Sequence, residues 1–387
     1  MTAATLSTAA PATARSTLMA LVVFAAITPL VLLVAPAVAA QLGQELGLDP
    51  ARIGTYFSVE LGAFSFATLP AYLWIGRFDA RRVAMLALAV FCIGNLVSAA
   101  WMPPYTMLLV LRAITALGGG TLMVLCMSAA ADSENNDRVY GLWVIGQLVM
   151  GAVGLLVLPY MFAAGGLRTF YLLLLVLALL AAPLCQAFTP NTGVRANTRT
   201  GKAAAGGTPT TALIVVCGVL GFYLAIGGVW TFAGNAASDA GVGATQNGTI
   251  LAVATVFGIA GALVASFVGG RASRKGMLVL GYLLLVIALA WLAQKPGGTG
   301  YAIALFCFKF AWTFVLPFIL ATVAARDTSG KLVASLTLII GLGLSIGPLI
   351  AGNLLQAGQS LATVFTTGLV VTLASAALIL RAESIRP

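Results

Sequence analysis

The sequence predicts an all-α membrane protein with twelve transmembrane helices in two pseudo-symmetric six-helix bundles. Hydrophobic residues make up 61% of the 387 positions and charged residues only 8%, and the mean hydropathy is +1.06. Soluble domains are about half apolar and about a quarter charged. Apolar runs of about 20 residues, each long enough to cross the hydrocarbon layer as a helix, recur along the chain. The two halves also share the spacing of their turn glycines and loop arginines.

Turn residues and charges divide the apolar runs into six predicted spans in each half, numbered one to twelve. The first six are 17–40, 53–75, 83–101, 105–131, 139–163 and 169–187. The second six are 211–236, 248–270, 277–293, 300–323, 332–355 and 361–380. A polar stretch rich in Thr, Gly and Ala separates the halves and predicts a linker. The expected domains are therefore an N-terminal bundle, 1–188, a cytoplasmic linker, 189–210, and a C-terminal bundle, 211–387.

Span one has features of a signal peptide, because Arg15 precedes an apolar run that ends in small residues. The internal repeat argues against its removal. A shift of 194 positions aligns Gly47 with Gly241 and Gly76 with Gly270, and it places span one on span seven. Duplication of a six-helix unit is the simplest explanation of this match.

Basic loop residues predict the orientation, because Lys and Arg are enriched in cytoplasmic loops. With both termini inside, fifteen of them lie on the cytoplasmic side and only Arg52, Arg168 and Lys295 lie outside. We therefore expect a monomeric multi-pass protein of the cell inner (plasma) membrane, embedded in the lipid bilayer, with cytoplasmic termini. The net charge of +10 is scattered along the chain, which argues against nucleic acid as a partner.

The sequence offers little material for metal, cofactor or enzyme chemistry. Its five cysteines lie in apolar runs without a short paired spacing, and it has no histidine. A disulfide framework and a zinc site are therefore not expected. No glycine-rich phosphate-binding loop with lysine is present, so we expect neither ATP nor a cofactor. An intramembrane enzyme would need a nucleophile, an acid and a base near one face, and this pattern is missing.

Three ionisable residues, Glu60, Arg112 and Lys309, fall well within predicted spans. Each costs on the order of 3 kcal/mol at mid-helix on insertion scales, so we expect none of them to face lipid. At about 1.5 Å per residue, all three lie about 12–15 Å below the outer surface and could share one cavity. Two cations facing one carboxylate would attract an anionic solute, most simply a carboxylate.

Two structural interpretations of these ions stay open. Glu60 and Arg112 can neutralise each other and tie two helices together, and Lys309 can extend its stem along the wall towards the outer interface. Under the solute-binding interpretation, aromatic and hydroxyl side chains near the ions line the cavity and favour a flat organic anion. The candidate lining residues are Trp312, Thr313, Tyr223, Trp230 and Tyr56.

Three short motifs resemble those of the major facilitator superfamily of secondary transporters. Between spans two and three, that family shows a Gly, an Asp and clustered Arg, and a version shortened by about two residues stands here as Gly76-Arg77-Phe78-Asp79-Ala80-Arg81-Arg82. The family's span-four pattern is similar to Leu108, Arg112, Ala116 and Gly118. Its corner before span six resembles Gly166-Leu167-Arg168-Thr169-Phe170. The dense Gly-Pro pattern of the family's drug exporters is missing from span five, and a related pattern, 347–352, lies in span eleven.

The resemblance implies that spans one, four, seven and ten line a central cavity and that the two halves alternate its access. It also implies a cytoplasmic gating latch made of Gly76, Asp79, Arg81 and Arg82. We therefore expect a secondary active transporter for a small, carboxylate-bearing, possibly aromatic organic solute.

Proton coupling follows from the charges inside the spans. Glu60 is the predicted proton carrier, because desolvation favours its neutral form while Arg112 favours its ionised form. Release of Arg112 on protonation would give symport with the solute anion. The alternatives are a proton-driven antiporter that exports drugs or amphipathic metabolites and, more remotely, a non-transporting membrane sensor.

Overall fold

The computed structural model describes residues 15–131, 136–189, 209–327 and 331–384. Within these ranges, nine helices are long and apolar enough to cross a membrane. One of them, Val139–Ala187, has 49 residues and contains spans five and six, while spans one and two are divided into shorter helices. The chain is thus an all-α membrane protein with twelve spans, as predicted. The predicted linker lies almost entirely outside the described residues.

The helices of the two halves follow the predicted order. In the first half, span one is Arg15–Ile27, Leu30–Leu33 and Ala35–Leu46, span two is Pro50–Phe66 and Thr68–Trp74, span three is Ala80–Trp101, span four is Tyr105–Ala131, and spans five and six are Asn136–Ala181 with the 3-10 helix Ala182–Ala187. In the second half, spans seven to twelve are Pro209–Asp239, Ala244–Val268, Arg274–Ala293, Gly298–Arg326, Lys331–Gln356 and Leu361–Ser384.

Prolines and glycines explain where the helices of the first half are interrupted. Span one is interrupted at Pro29, and its last segment begins next to Pro36, because proline has no amide hydrogen to donate along a helix. Spans five and six separate at Gly166, whose φ of 63° and ψ of −159° are open almost only to glycine. The Glu45 carboxylate accepts a hydrogen bond from the Leu167 amide at 2.6 Å and so caps the start of span six.

Equivalent turns in the two halves have the same backbone shape. Gly47 and Gly241 have φ of 60° and 72°, and Gly76 and Gly270 have φ of 79° and 77°. All four conformations are left-handed, which favours glycine. The sequence repeat therefore corresponds to a structural repeat of the six-helix unit.

The two halves meet where span two packs on span eleven and span eight packs on span five. A Cβ on Gly54 would lie 2.4 Å from the backbone oxygen of Pro348, and a Cβ on Gly248 would lie 2.6 Å from that of Leu155. Gly54 and Gly248 are repeat partners, so the two close approaches are related by the pseudo-symmetry. Helix backbones can come this close in a membrane only where small residues stand between them.

Candidate functional site

Arg112 lies in a network of side chains inside the first half. Its Nε and Nη2 donate to the two carboxylate oxygens of Glu60 at 2.7 and 2.5 Å, and its Nη1 donates to Oδ1 of Asn95 at 2.9 Å. Its guanidinium carbon lies 4.9 Å from the centre of the Tyr171 ring, and the Tyr171 hydroxyl is 3.0 Å from that of Tyr56. Arg112 is 0% exposed and Glu60 is 5% exposed.

Four spans supply this network. Tyr56 and Glu60 lie one helical turn apart on span two, while Asn95, Arg112 and Tyr171 come from spans three, four and six. The bidentate geometry gives two charge-assisted hydrogen bonds, which offset the cost of removing both ions from water. In this conformation the guanidinium is therefore engaged by protein groups on the side of Glu60, Asn95 and Tyr171.

Lys309 lies in a second cluster, between two indole rings. Its Nζ is 3.9 Å from the ring centre of Trp230 on span seven and 4.0 Å from that of Trp312 on span ten. The two rings are 6.2 Å apart at 68°. Nε1 of Trp230 donates to the backbone oxygen of Leu32 on span one at 3.1 Å. The cluster therefore lies where the second half contacts the first.

The buried side chain of Lys309 differs from that of Arg112 in its partners. Lys309 is 3% exposed, and among the residues that the structure describes no carboxylate forms an ion pair with its Nζ. Each cation–π contact contributes on the order of 0.5–2 kcal/mol. Burying an ion costs several kcal/mol, so the two indoles offset this cost only in part.

Of the other predicted lining residues, two face neighbouring helices. The Thr313 hydroxyl donates to the backbone oxygen of Gly258 at 2.6 Å and so joins spans ten and eight. Tyr223 packs against span eleven, where a Cβ on Gly343 would lie 2.7 Å from its Cβ. The structure thus brings six of the predicted site residues into two clusters, one of Tyr56, Glu60 and Arg112 and one of Trp230, Lys309 and Trp312. Across the described ranges, no hydrogen bond, ion pair or ring contact joins one cluster to the other.

Sequence reasoning missed several polar partners. Asn95 and Tyr171 complete the surroundings of Arg112. On span seven, Oγ1 of Thr231 and Oδ1 of Asn235, one and five residues beyond Trp230, are buried without a hydrogen-bond partner in the part of the chain that is described. A search for charges alone passes over these neutral groups. A search for polar residues inside apolar runs would have found Asn95, Thr231 and Asn235.

The predicted latch residues make local contacts within the first half. Asp79 Oδ1 accepts from the Arg81 amide at 2.9 Å and caps span three, and Gly76 turns the chain with φ of 79°. Nε of Arg81 donates to the Phe188 oxygen at 2.7 Å, while Arg82 is exposed. No ion pair from these residues to the second half is found within the described ranges. Their gating role stays a prediction.

A cavity of about 650 Å³ lies at the predicted outer side, between spans one, five, seven and eight. Its polar lining includes Gln41, Gln44, Ser238 and Asn247, and no charged side chain of the described residues lines it. Gly234, one helical turn beyond Trp230, also lines it. The cavity therefore ends close to the Lys309 cluster. No group of residues suited to a metal ion is found in the described ranges.

The family of the chain follows from a comparison with family models. The model of the Major Facilitator Superfamily matches residues 17–326. The chain belongs to the Major Facilitator Superfamily. The membership suggested by the short motifs is thus confirmed, and it indicates a membrane transporter rather than an enzyme.

Solved transporter structures share the fold of this superfamily member. A bacterial homologue of the human lysosomal transporter Spinster, inward-facing and unoccupied, has a TM-score of 0.70 and 15% identity over 95% of this chain and 96% of that chain. A mutant of the nucleoside transporter NupG has a TM-score of 0.67 and 13% identity over 95% and 99%. The D-xylose-proton symporter has a TM-score of 0.70 and 13% identity over 93% and 95%. No curated protein sequence matches this chain.

Proposed function

We propose that this superfamily member is a secondary active transporter that moves a small organic anion by alternating access of its two halves. The anion bears a carboxylate, and its movement is coupled to protons. The protein resides in the cell inner membrane as a monomer with both termini in the cytoplasm. In this proposal the halves are residues 1–188 and 211–387, joined by the linker 189–210. The single observation that carries the proposal is the buried Lys309, with which no carboxylate of the described residues forms an ion pair.

A solute carboxylate supplies the counter-ion that the described residues do not give to Lys309. Its Nζ lies 3.9 and 4.0 Å from the ring centres of Trp230 and Trp312, and Trp230 also contacts span one. Transporters of this architecture bind their solutes near the bilayer midplane between the two repeats. A charge that is incompletely compensated at this boundary is therefore a binding site for an anion.

The surroundings of Lys309 favour a flat acid that carries further polar groups. Two indole faces offer stacking surfaces for a ring. Oγ1 of Thr231 and Oδ1 of Asn235, on the same helix as Trp230, are buried without hydrogen-bond partners among the described residues. A hydroxyl or amide group on the solute would satisfy them. We include both residues in the proposed site, and we place Thr313 in the packing of spans eight and ten.

The coupling proton requires a side chain that changes its charge inside the bundle. Glu60, predicted from the sequence, is one candidate, and Lys309 is the other. The resemblance to the D-xylose-proton symporter in fold is consistent with coupling to protons.

Uptake into proteoliposomes tests the proposal. Labelled aromatic and aliphatic carboxylates and their uncharged amides would be offered with an imposed pH gradient. We expect accumulation of at least one acid by the wild type, loss of this uptake in Lys309→Gln, and normal uptake in the control Lys275→Gln, whose side chain is exposed. Equal uptake by Lys309→Gln would contradict the proposal. Proton-driven export of amphipathic drugs with no carboxylate transport would instead establish the antiporter alternative.

A further inference from the structure

We propose that Lys309 takes up the coupling proton together with the solute anion, so that one side chain binds both. This inference rests on the proposed function. It assigns to Lys309 the role that the sequence predicted for Glu60.

The geometry around Glu60 opposes a proton-carrying role. Both of its carboxylate oxygens accept hydrogen bonds from Arg112, at 2.5 and 2.7 Å, in a pair that is almost fully buried. Protonation would leave the buried Arg112 charge with only Asn95 and the Tyr171 ring beside it. Removing one partner of a buried ion pair is strongly unfavourable. The pair therefore acts as a fixed tie between spans two and four.

Across the described parts of the neighbouring helices, no carboxylate forms an ion pair with Lys309. Spans seven, eight, nine, eleven and twelve pack against span ten. The titratable residues of these six spans are Cys217, Tyr223, Asp239, Arg274, Lys275, Tyr282, Tyr301, Cys307, Arg326, Lys331, Arg381 and Glu383. Only two of them are carboxylates, and both lie at helix ends.

The distances along the helices separate these carboxylates from the cluster. Asp239 stands nine residues beyond Trp230, about 13 Å along span seven. Glu383 contacts Thr322, thirteen residues beyond Lys309, about 20 Å along span ten. On span one, Glu45 stands thirteen residues beyond Leu32, the residue that touches Trp230. The described residues therefore place no carboxylate at the Lys309 cluster. In this proposal, Lys309 gains an anionic partner only when the solute binds.

The proton and the anion then bind in a reciprocal way. The neutral amine of Lys309 accepts a proton from a hydronium ion on one side of the membrane, which leaves water and an ammonium group. The solute carboxylate pairs with that ammonium. After the halves rearrange, the carboxylate departs and the ammonium returns the proton to water on the other side. Each partner strengthens the binding of the other, as linkage requires, so one proton accompanies each bound carboxylate.

Lys309→Arg separates anion binding from proton coupling, because a guanidinium keeps its charge at all accessible pH values. We expect this variant to exchange labelled for unlabelled anion within about tenfold of the wild-type rate. A pH gradient should no longer drive accumulation by it. Lys309→Gln should lose both anion exchange and pH-driven accumulation. The control Lys275→Arg should lose neither, because the Lys275 side chain is exposed. The double variant Glu60→Gln with Arg112→Gln should retain accumulation driven by the pH gradient.

Two results would overturn the inference while leaving anion transport intact. One is full pH-driven accumulation by Lys309→Arg. The other is a double variant at Glu60 and Arg112 that exchanges anion but has lost its coupling. A wild-type protein that exchanges no carboxylate would instead refute the proposed function itself.

A second measurement covers the case in which Lys309→Arg does not fold. Purified wild-type protein in weakly buffered detergent solution is mixed with a carboxylate that it transports, and a pH indicator reports proton uptake. We expect uptake approaching one proton per bound anion near neutral pH, and none with Lys309→Gln. The measurement would cover about two pH units on either side of neutral. If the wild type bound the anion without taking up protons anywhere in this range, the inference would be overturned.

Discussion

Buried ions in the two halves are compensated by different chemistry. Arg112 is neutralised by a carboxylate that meets it with two hydrogen bonds, whereas Lys309 is held by the faces of two indoles. The geometry thus supports a structural role for the Glu60–Arg112 pair, while no carboxylate of the described residues forms an ion pair with Lys309. This difference supports the proposal that Lys309 binds the solute.

The buried pair should dominate the stability of the first half. Arg112→Ala leaves the Glu60 carboxylate buried without its partner, which should lower the free energy of unfolding by about 3–5 kcal/mol. The double variant Glu60→Gln with Arg112→Met should lower the free energy of unfolding by less than Arg112→Ala does, because no buried charge remains. Denaturant unfolding in detergent measures both effects.

The surface pair of Arg52 and Asp49 provides the control for this experiment. Its side chains are 58% and 37% exposed at an N–O distance of 3.5 Å. Arg52→Ala should change the free energy of unfolding by at most about 1 kcal/mol. If Arg112→Ala were as mild as Arg52→Ala, the structural role of the buried pair would be refuted.

At the residue scale, the sequence predicts which ions are costly but only part of their surroundings. The pairing of Glu60 with Arg112 stood among the alternatives, since the two ions share a depth. Asn95 and Tyr171 could not be found in this way, because they are neutral and come from different spans. The hydroxyl of Thr313 was placed on the face of Lys309 from helical spacing alone, and spacing does not show that span eight approaches there.

At the scale of elements, glycines set how closely the halves can pack. Gly54→Ala and Gly248→Ala would each place a Cβ within 2.6 Å of a backbone oxygen of the other half. Such overpacking should lower the free energy of unfolding by about 1–3 kcal/mol and lower the thermal unfolding midpoint. Gly141→Ala is the matched control, because Gly141 is an exposed helical glycine with no atom within 4 Å of its Cβ position. An equal midpoint for all three variants would contradict the described contact.

The turn between spans five and six depends on a single glycine. Gly166 adopts φ of 63° and ψ of −159°, and a Cβ there would also lie within 2.7 Å of the Glu45 carboxylate. Gly166→Ala should therefore cost about 1–3 kcal/mol in the free energy of unfolding. Gly297→Ala, in the open turn before span ten, should be close to neutral. Comparable losses in the two variants would argue against strain at Gly166.

The ends of a helix could be predicted from the sequence where the helix has the same ends as its apolar run. Span four was predicted as 105–131, and the helix is Tyr105–Ala131. Span one was predicted to end at 40, but its last helix, Ala35–Leu46, continues through Gln41 and Gln44. These glutamines line the outer cavity. Their polarity therefore reflects the cavity and does not mark the end of the helix. Hydropathy cannot distinguish a residue that faces a cavity from one that begins a loop.

At the scale of the whole molecule, the repeat was predictable and the packing of its copies was not. The shared turn glycines and the division of basic residues between loops are local patterns that a single sequence carries. The hydrogen bond from Trp230 to Leu32 joins residues 198 positions apart, and it depends on how the two halves dock. Hence the sequence allowed one shared cavity for the three ions, and how the described residues separate into two clusters could not be read from it.

The predicted orientation can be tested by labelling single cysteines with a membrane-impermeant thiol reagent. In a variant without the five native cysteines, Ser273→Cys should react only from the cytoplasmic side, because it lies in the basic turn between spans eight and nine. Gly297→Cys, in the turn between spans nine and ten, should react only from outside. The reverse labelling pattern would invert the proposed topology.

The proposed carboxylate site at Lys309, between Trp230 and Trp312, can be tested on the purified protein. Thermal unfolding of the purified protein with a transported carboxylate or its uncharged amide tests it most directly, because a ligand at 100 times its Kd stabilises the folded state by about 2.7 kcal/mol. We expect the acid to raise the unfolding midpoint of the wild type, the amide to leave it unchanged, and Lys309→Gln to respond to neither. Equal stabilisation of the wild type and Lys309→Gln by the acid would contradict the proposed site.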